Sequence, residues 1–233
     1  MPSFNIIKNI PKNDSFRSKA IIGAFDLQNE SLVEKFVGEI PIEDIEWNVG
    51  LIVGGSGSGK TTIAKEIFKD YYIKSYEYNG KSIIDDMPSG KTIKEIEKTF
   101  TCVGFSSPPS WLKPYGVLSN GEKMRVDLAR SLLEDRDIIV FDEFTSVVNR
   151  EVAKTTSYAI SKAIKKNDKK FVAVSCHKDI IDWLQPDWIY DTDEKCFFIQ
   201  GESLTAPKSN LKYIGLTKKL ESSCGTFLGN ITI

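Results

Sequence analysis

Apolar residues fall into two rhythms along this chain. Alternating or continuous short runs predict strands, and apolar residues three and four apart predict helices. The first fifty residues read as β segments: Phe4-Asn5-Ile6-Ile7, Lys19-Ala20-Ile21-Ile22 and Phe36-Val37-Gly38-Glu39-Ile40, parted by turn formers. Trp47 to Val53 reads as a buried strand that runs into a glycine-rich loop. Helical spacing follows, with Ile63, Ile67 and Phe68 on one face. Residues 71–117 read as irregular, broken by Pro88, Pro108, Pro109 and Pro114, with a strand-like Thr101-Cys102-Val103-Gly104-Phe105 among them. Helical spacing returns over 119–133 through Val126, Ala129 and Leu133, and over 151–166 through Val152, Thr156, Ala159, Ile160, Ala163 and Ile164. Asp137–Asp142 and Phe171–Cys176 read as buried strands, and a hairpin-like stretch ends at Gly201. Apolar strands alternating with helices imply an α/β fold, a mainly parallel sheet with flanking helices. The start adds a small antiparallel β-subdomain.

Composition narrows the class without naming a partner. The 233 residues are 41% hydrophobic and 27% charged, ordinary globular values that argue against disorder throughout. Charge nearly cancels, at −1, so no global basic field points to nucleic acid or anionic membrane. The most basic stretch, residues 165–170, contains Asn167 and Asp168 and reads as a solvated helix end. The four cysteines form no CxxC pair and there is one histidine, which disfavours zinc and suits a reducing compartment. The start has no basic segment followed by an apolar one, as a signal peptide would. Apolar runs of about five residues fall far short of the roughly 20 that span a bilayer. The expectation is a soluble, cytoplasmic protein with no transmembrane segment of its own.

Three motifs carry chemistry. Gly54-Gly55-Ser56-Gly57-Ser58-Gly59-Lys60-Thr61 fits GxxxxGK[ST] and lies between a strand and a helix, the context a phosphate loop needs. Its glycines let backbone N–H groups curl around a phosphate, and the helix N-terminus adds partial positive charge. Lys60 is placed to reach β- and γ-phosphates and Thr61 to hold Mg²⁺, with Thr62 next in the helix. A Gly/Ser linker would not explain Lys-Thr-Thr at a helix start. Ile138-Ile139-Val140-Phe141-Asp142-Glu143 is an apolar strand ending in two acids: Asp142 suits the Mg²⁺ shell and Glu143 suits polarising an attacking water. Leu118-Ser119-Asn120-Gly121-Glu122-Lys123-Met124-Arg125 opens a helix with a capping box from Ser119 to Glu122. A well-capped helix alone would carry the same residues.

Taken with its continuation Arg125–Leu133, that stretch resembles the LSGGQ signature of the ATP-binding cassette (ABC) ATPases. The order of motifs agrees: phosphate loop, signature, Asp-Glu strand, then a strand ending in His177, which resembles the family's switch histidine. The resemblance covers roughly residues 36–201. It implies a phosphate-loop fold of ABC type with a shortened helical subdomain, and ATP and Mg²⁺ as cofactors. It also implies an ATP-dependent head-to-tail homodimer in which Ser119 and Gly121 of one protomer meet the γ-phosphate held by the other. Glu143, His177 and Lys60 become the catalytic residues, residues 54–62 with Ser119 and Gly121 the nucleotide binders, and Thr61 and Asp142 the metal ligands.

The departures from the family pattern are specific. No glutamine lies between residues 61 and 117, and the place expected for it, after Thr101–Phe105, reads Ser106-Ser107-Pro108-Pro109-Ser110-Trp111. Asn149 stands where an aspartate is usual, and Phe144 where a proline is. The adenine-stacking aromatic is not fixed by spacing; Phe25 is offered, with Phe36 read as core. Residues 61–118 are too few for a transporter's helical subdomain or an inserted coiled coil. Residues 103–115 and 182–188 look like a group of soluble ABC-type ATPases, some joined to a GNAT-like acetyltransferase. The residues after Thr205 are too few for that domain. The expected organisation is an ATPase domain over 1–204, with a β-subdomain at 1–50 and a reduced lobe at 71–117, and an extension at 205–233 that includes an edge strand at 225–233. The expected activity is a Mg²⁺-dependent ATPase driving an unidentified protein or nucleic-acid partner. A transport subunit and a nucleotide-gated DNA- or protein-binding module are the alternatives.

Overall fold

A computed structural model of the chain describes residues 3–10, 12, 14–26, 32–72 and 75–199. Gly201, Cys224, the 205–233 extension and its expected edge strand lie outside them. The central sheet has strand order β4 (Ile138–Phe141), β5 (Lys170–Ser175), β3 (Val49–Val53), β6 (Trp188–Asp191), β7 (Cys196–Ile199). The first four are parallel and β7 closes the edge as an antiparallel hairpin partner of β6. Beside it, β1 (Ser3–Ile10) and β2 (Leu32–Glu39) form the antiparallel ribbon the sequence predicts.

Central β3 is buried along its whole length, which is why it reads as a continuous apolar run. Its alternate residues serve two cores. Val49, Leu51 and Val53 face α3 (Ile93–Cys102), α5 (Asn120–Leu133) and α6 (Arg150–Asn167), while Ile52 joins α2 (Lys60–Ile67), Phe4 and Trp188 on the other side. Gly50 is required there: a Cβ would lie 2.1 Å from Cζ2 of Trp188.

Three sequence readings are corrected. Lys19–Ile22 is not a strand but part of α1 (Phe16–Phe25), started by Ser15, whose Oγ accepts the Ser18 N–H at 3.2 Å. None of its residues is buried, so no core-facing alternation exists to hold a strand there. Residues 71–117 are less irregular than their prolines suggest. Thr92 and Glu95 form a full capping box that starts α3, whose Ile96 and Phe100 are buried one turn apart. Third, Thr101–Phe105 is no strand. It ends α3 in a left-handed Gly104 (φ 79°), and the Phe105 N–H returns to the Phe100 carbonyl.

The segment beside β4 is instead Tyr72, in an isolated parallel bridge to Val140. Residues 106–111 carry the short helix α4 (Pro108–Trp111), packed by Trp111 Nε1 donating to the Phe105 carbonyl. Residues 75–79 are fastened to α5. Tyr78 and Tyr115 both donate to Asp127, at 2.6 and 2.9 Å, and the Arg130 guanidinium stacks over Tyr76 and Tyr78. Helix α7 (Ile180–Leu184) packs on α6. No helix among the described residues is long and apolar enough to cross a membrane.

Candidate functional site

The loop between β3 and α2 is held from several sides. Gly59 (φ 89°) admits Phe36 so closely that a Cβ would lie 2.3 Å from its ring. Gly54 is covered by Thr192, whose Oγ1 would meet a Cβ at 2.1 Å. Ser58 Oγ donates to the Gly55 carbonyl (2.8 Å) and is hydrogen-bonded to Thr192 Oγ1 (2.6 Å). The Lys60 side chain is buried, with Nζ donating to the Gly55 carbonyl at 2.6 Å. Several features of the motif thus have a local physical reason: room for a neighbour at Gly54 and Gly59, a hydroxyl clasp at Ser58, and the Lys60 cation drawn across the loop.

The two acids end β4. Asp142 Oδ1 accepts the Glu143 N–H at 2.9 Å, and Oδ2 accepts the Tyr72 hydroxyl. Burial first, then the hydrogen bond and charge of Asp142, push the Tyr72 phenol well above its ordinary pKa, so it stays a donor. Glu143 (φ 52°) and Thr145 (φ 66°) sit in the left-handed region. Such backbone is uncommon for residues with a Cβ and persists only where neighbours fix it. Phe144 does so: fully buried against Phe141 and Phe171, it donates its N–H to the Val174 carbonyl at 2.9 Å. The buried ring leaves Glu143 exposed, facing the loop.

A cavity of about 220 Å³ lies between these parts. Ser56, Gly57, Gly59, Lys60, Thr61 and Thr62 line it from the loop and α2, together with Glu143 and Cys176 from the ends of β4 and β5. Phe36, Lys8 and Glu34 close the side formed by the β1–β2 ribbon. Gly54, Gly55, Ser58 and Asp142 are not among its lining residues. His177 is half-buried at the end of β5, with its N–H on Ser175 Oγ, and does not line the cavity. Ser119 and Gly121 do not line it either. Ser119 caps α5 reciprocally with Glu122, and its N–H and hydroxyl hold the Glu122 carboxyl below the usual range. Phe25 is exposed on α1, outside the cavity; Phe36 takes the lining position, because alternation on β2 turns Glu34 and Phe36 to the same face.

Hydroxyl and carboxylate oxygens from Thr61, Asp142 and Glu143 are hard donors that suit Mg²⁺. No group of three or more His, Cys, Asp or Glu able to hold a metal occurs among the described residues. An ion here would therefore complete its shell with phosphate oxygens and water, the usual habit of Mg²⁺.

A family model described as "ATPase family associated with various cellular activities (AAA)" matches residues 50–218, from β3 onward. The chain belongs to this ATPase family. Its fold is that of the ABC cassette. It superposes on the dimeric bacterial ABC transporter cassette MJ0796 with TM-score 0.54 at 14% identity, over 80% of this chain and 94% of that one. It superposes on cbiO1 from Clostridium perfringens, part of an ABC transporter complex, with TM-score 0.53 at 17% identity, over 96% and 97%. Among sequences, it is 28% identical over 171 residues to the lactococcin-G-processing and transport ATP-binding protein LagD of Lactococcus lactis, spanning 55% of this chain and 24% of that protein. A probable metal transport system ATP-binding protein of Thermotoga maritima is 30% identical over 156 residues, spanning 55% and 62%. The chain thus spans less than two thirds of either relative's length.

Sequence reasoning missed several parts of the candidate site. Tyr72 lies at a lone bridge, too short for any periodicity. Lys8 and Glu34 gave no motif, because only the pairing register of the ribbon puts them on one face. Thr192 and Asp193 touch the loop from far along the chain, so no local pattern marks them.

Proposed function

We propose that this chain is an ABC-type ATPase that binds MgATP, dimerises head to tail around it and hydrolyses it to drive a partner. The observation that carries this reading is the cavity that sets the phosphate loop opposite Glu143. Phosphates would lie on the loop amides and on Lys60, whose ammonium exchanges the Gly55 carbonyl for anionic oxygen. Phe36 offers an aromatic face for the adenine at the ribbon side. Thr61 and Asp142 would hold Mg²⁺, which neutralises charge developing on the phosphate oxygens. Glu143, held by its fixed turn, orients and deprotonates the attacking water. Ser119 and Gly121, at the start of α5 and outside the cavity, would meet the γ-phosphate held by a second copy, with His177 contacting it from the edge.

Steady-state ATP turnover of the wild type against Glu143→Gln tests the reading. A general base contributes roughly 10²–10⁴-fold, and a loss in that range is expected. Equal rates would overturn it.

A transport role is a second reading. It is favoured by exposed Ile93, Leu112 and Val117 on the lobe between α2 and α5, and by relatives named as transport proteins. Co-purification with a polytopic membrane protein supports that reading, and loss of the association in Leu112→Asp would place the contact on this lobe.

A further inference from the structure

We propose that the turn joining β6 to β7 is a brace for the phosphate loop: Thr192 and Asp193 set the loop's shape, and Lys178 neutralises the brace so that the loop still receives an anion. Several contacts converge on this turn. Both carboxylate oxygens of Asp193 accept the Gly55 N–H, at 2.9 and 3.0 Å. Thr192 Oγ1 is hydrogen-bonded to Ser58 Oγ at 2.6 Å, and its N–H donates to the Val53 carbonyl where β3 enters the loop. Asp191 Oδ1 accepts the N–H groups of Asp193 and Glu194, which folds the turn back toward the loop. Lys178 Nζ donates to Asp191 Oδ2 at 2.7 Å and lies 3.9 Å from Asp193 Oδ2.

The charge arrangement gives the device its logic. A charged acceptor binds a backbone N–H roughly twice as strongly as a neutral one, which favours aspartate for holding Gly55. A carboxylate on the shoulder of an anion-binding loop also repels the anion. Lys178 offsets that repulsion, held charged chiefly by its hydrogen bond to Asp191. It follows His177 directly in the chain, so the cation reaches the brace from the far edge of the site. Thr192, Asp193 and Lys178 are positioning residues, since none of them lines the cavity.

The inference rests on the nucleotide-binding reading above, and ADP binding to the full chain, titrated calorimetrically, separates the two. ADP binds the loop without turnover. Asp193→Asn should weaken ADP binding roughly 5-fold, the gap between a charged and a neutral acceptor. Lys178→Met should weaken it about 3-fold, an effect that shrinks as salt rises. Because both act through one contact, the double variant should lose less than the product of the single losses. Thr192→Val should weaken binding and Thr192→Ser restore it. The brace is overturned if the wild type binds ADP and Asp193→Asn binds it equally well, whatever its melting temperature, or if the single losses multiply in the double variant. A wild type that binds no ADP overturns the nucleotide reading and the brace together.

Discussion

Phe144 and Tyr72 show how single residues fix the chemistry of their neighbours. Phe144 is an anchor: its buried ring and its bond to Val174 hold the turn that presents Glu143. Phe144→Ala should cost about 3–5 kcal/mol, as emptying an aromatic site does, read as a fall in denaturation midpoint. Tyr72 acts on Asp142. Tyr72→Phe keeps the ring over which Lys65 sits at 4.9 Å but removes a hydrogen bond to a carboxylate, worth about 1.5–3 kcal/mol. ATP turnover should fall by about tenfold or more, with the requirement for Mg²⁺ shifted to higher concentration; an unchanged Mg²⁺ dependence would remove Tyr72 from the site. The phosphate loop, Asp142 and Glu143 were legible in the sequence because each motif is contiguous. Tyr72 and Asp193 were not, because each reaches its partner through a tertiary contact about 70 or more residues away.

At the level of elements, local signals succeeded where a cap or a buried run spoke clearly. Central β3 and β5 were readable because a strand covered on both faces carries apolar residues in sequence. Helix α3 carried an equally clear signal, Thr92 to Glu95, overlooked among the surrounding prolines. Thr92→Ala should destabilise the protein by about 1 kcal/mol, measured in urea, while Lys94→Ala on the exposed face leaves the midpoint nearly unchanged. Helix α1 misled because Ile21 and Ile22 resemble a strand, yet none of its residues is buried. The ribbon of β1 and β2 was legible as an element. Its role was not, because only the register shows that Lys8, Glu34 and Phe36 face the loop together.

For the whole molecule, two parts of the proposed site stand on different surfaces. One is the cavity between the phosphate loop and Glu143; the other is the start of α5, where Ser119 and Gly121 lie outside it. In the proposed head-to-tail dimer a second copy would bring the two together, with ATP as the bridge between protomers. Asn149 caps α6 by accepting the Val152 N–H, so the loop after Glu143 ends in a fixed helix start. Light scattering on Glu143→Gln, with and without MgATP, tests whether ATP bridges two protomers. The mass should double on adding MgATP, and stay that of a monomer under the same conditions when Ser119→Arg is added. A Glu143→Gln chain that binds ATP at the phosphate loop yet remains monomeric at every concentration would contradict it.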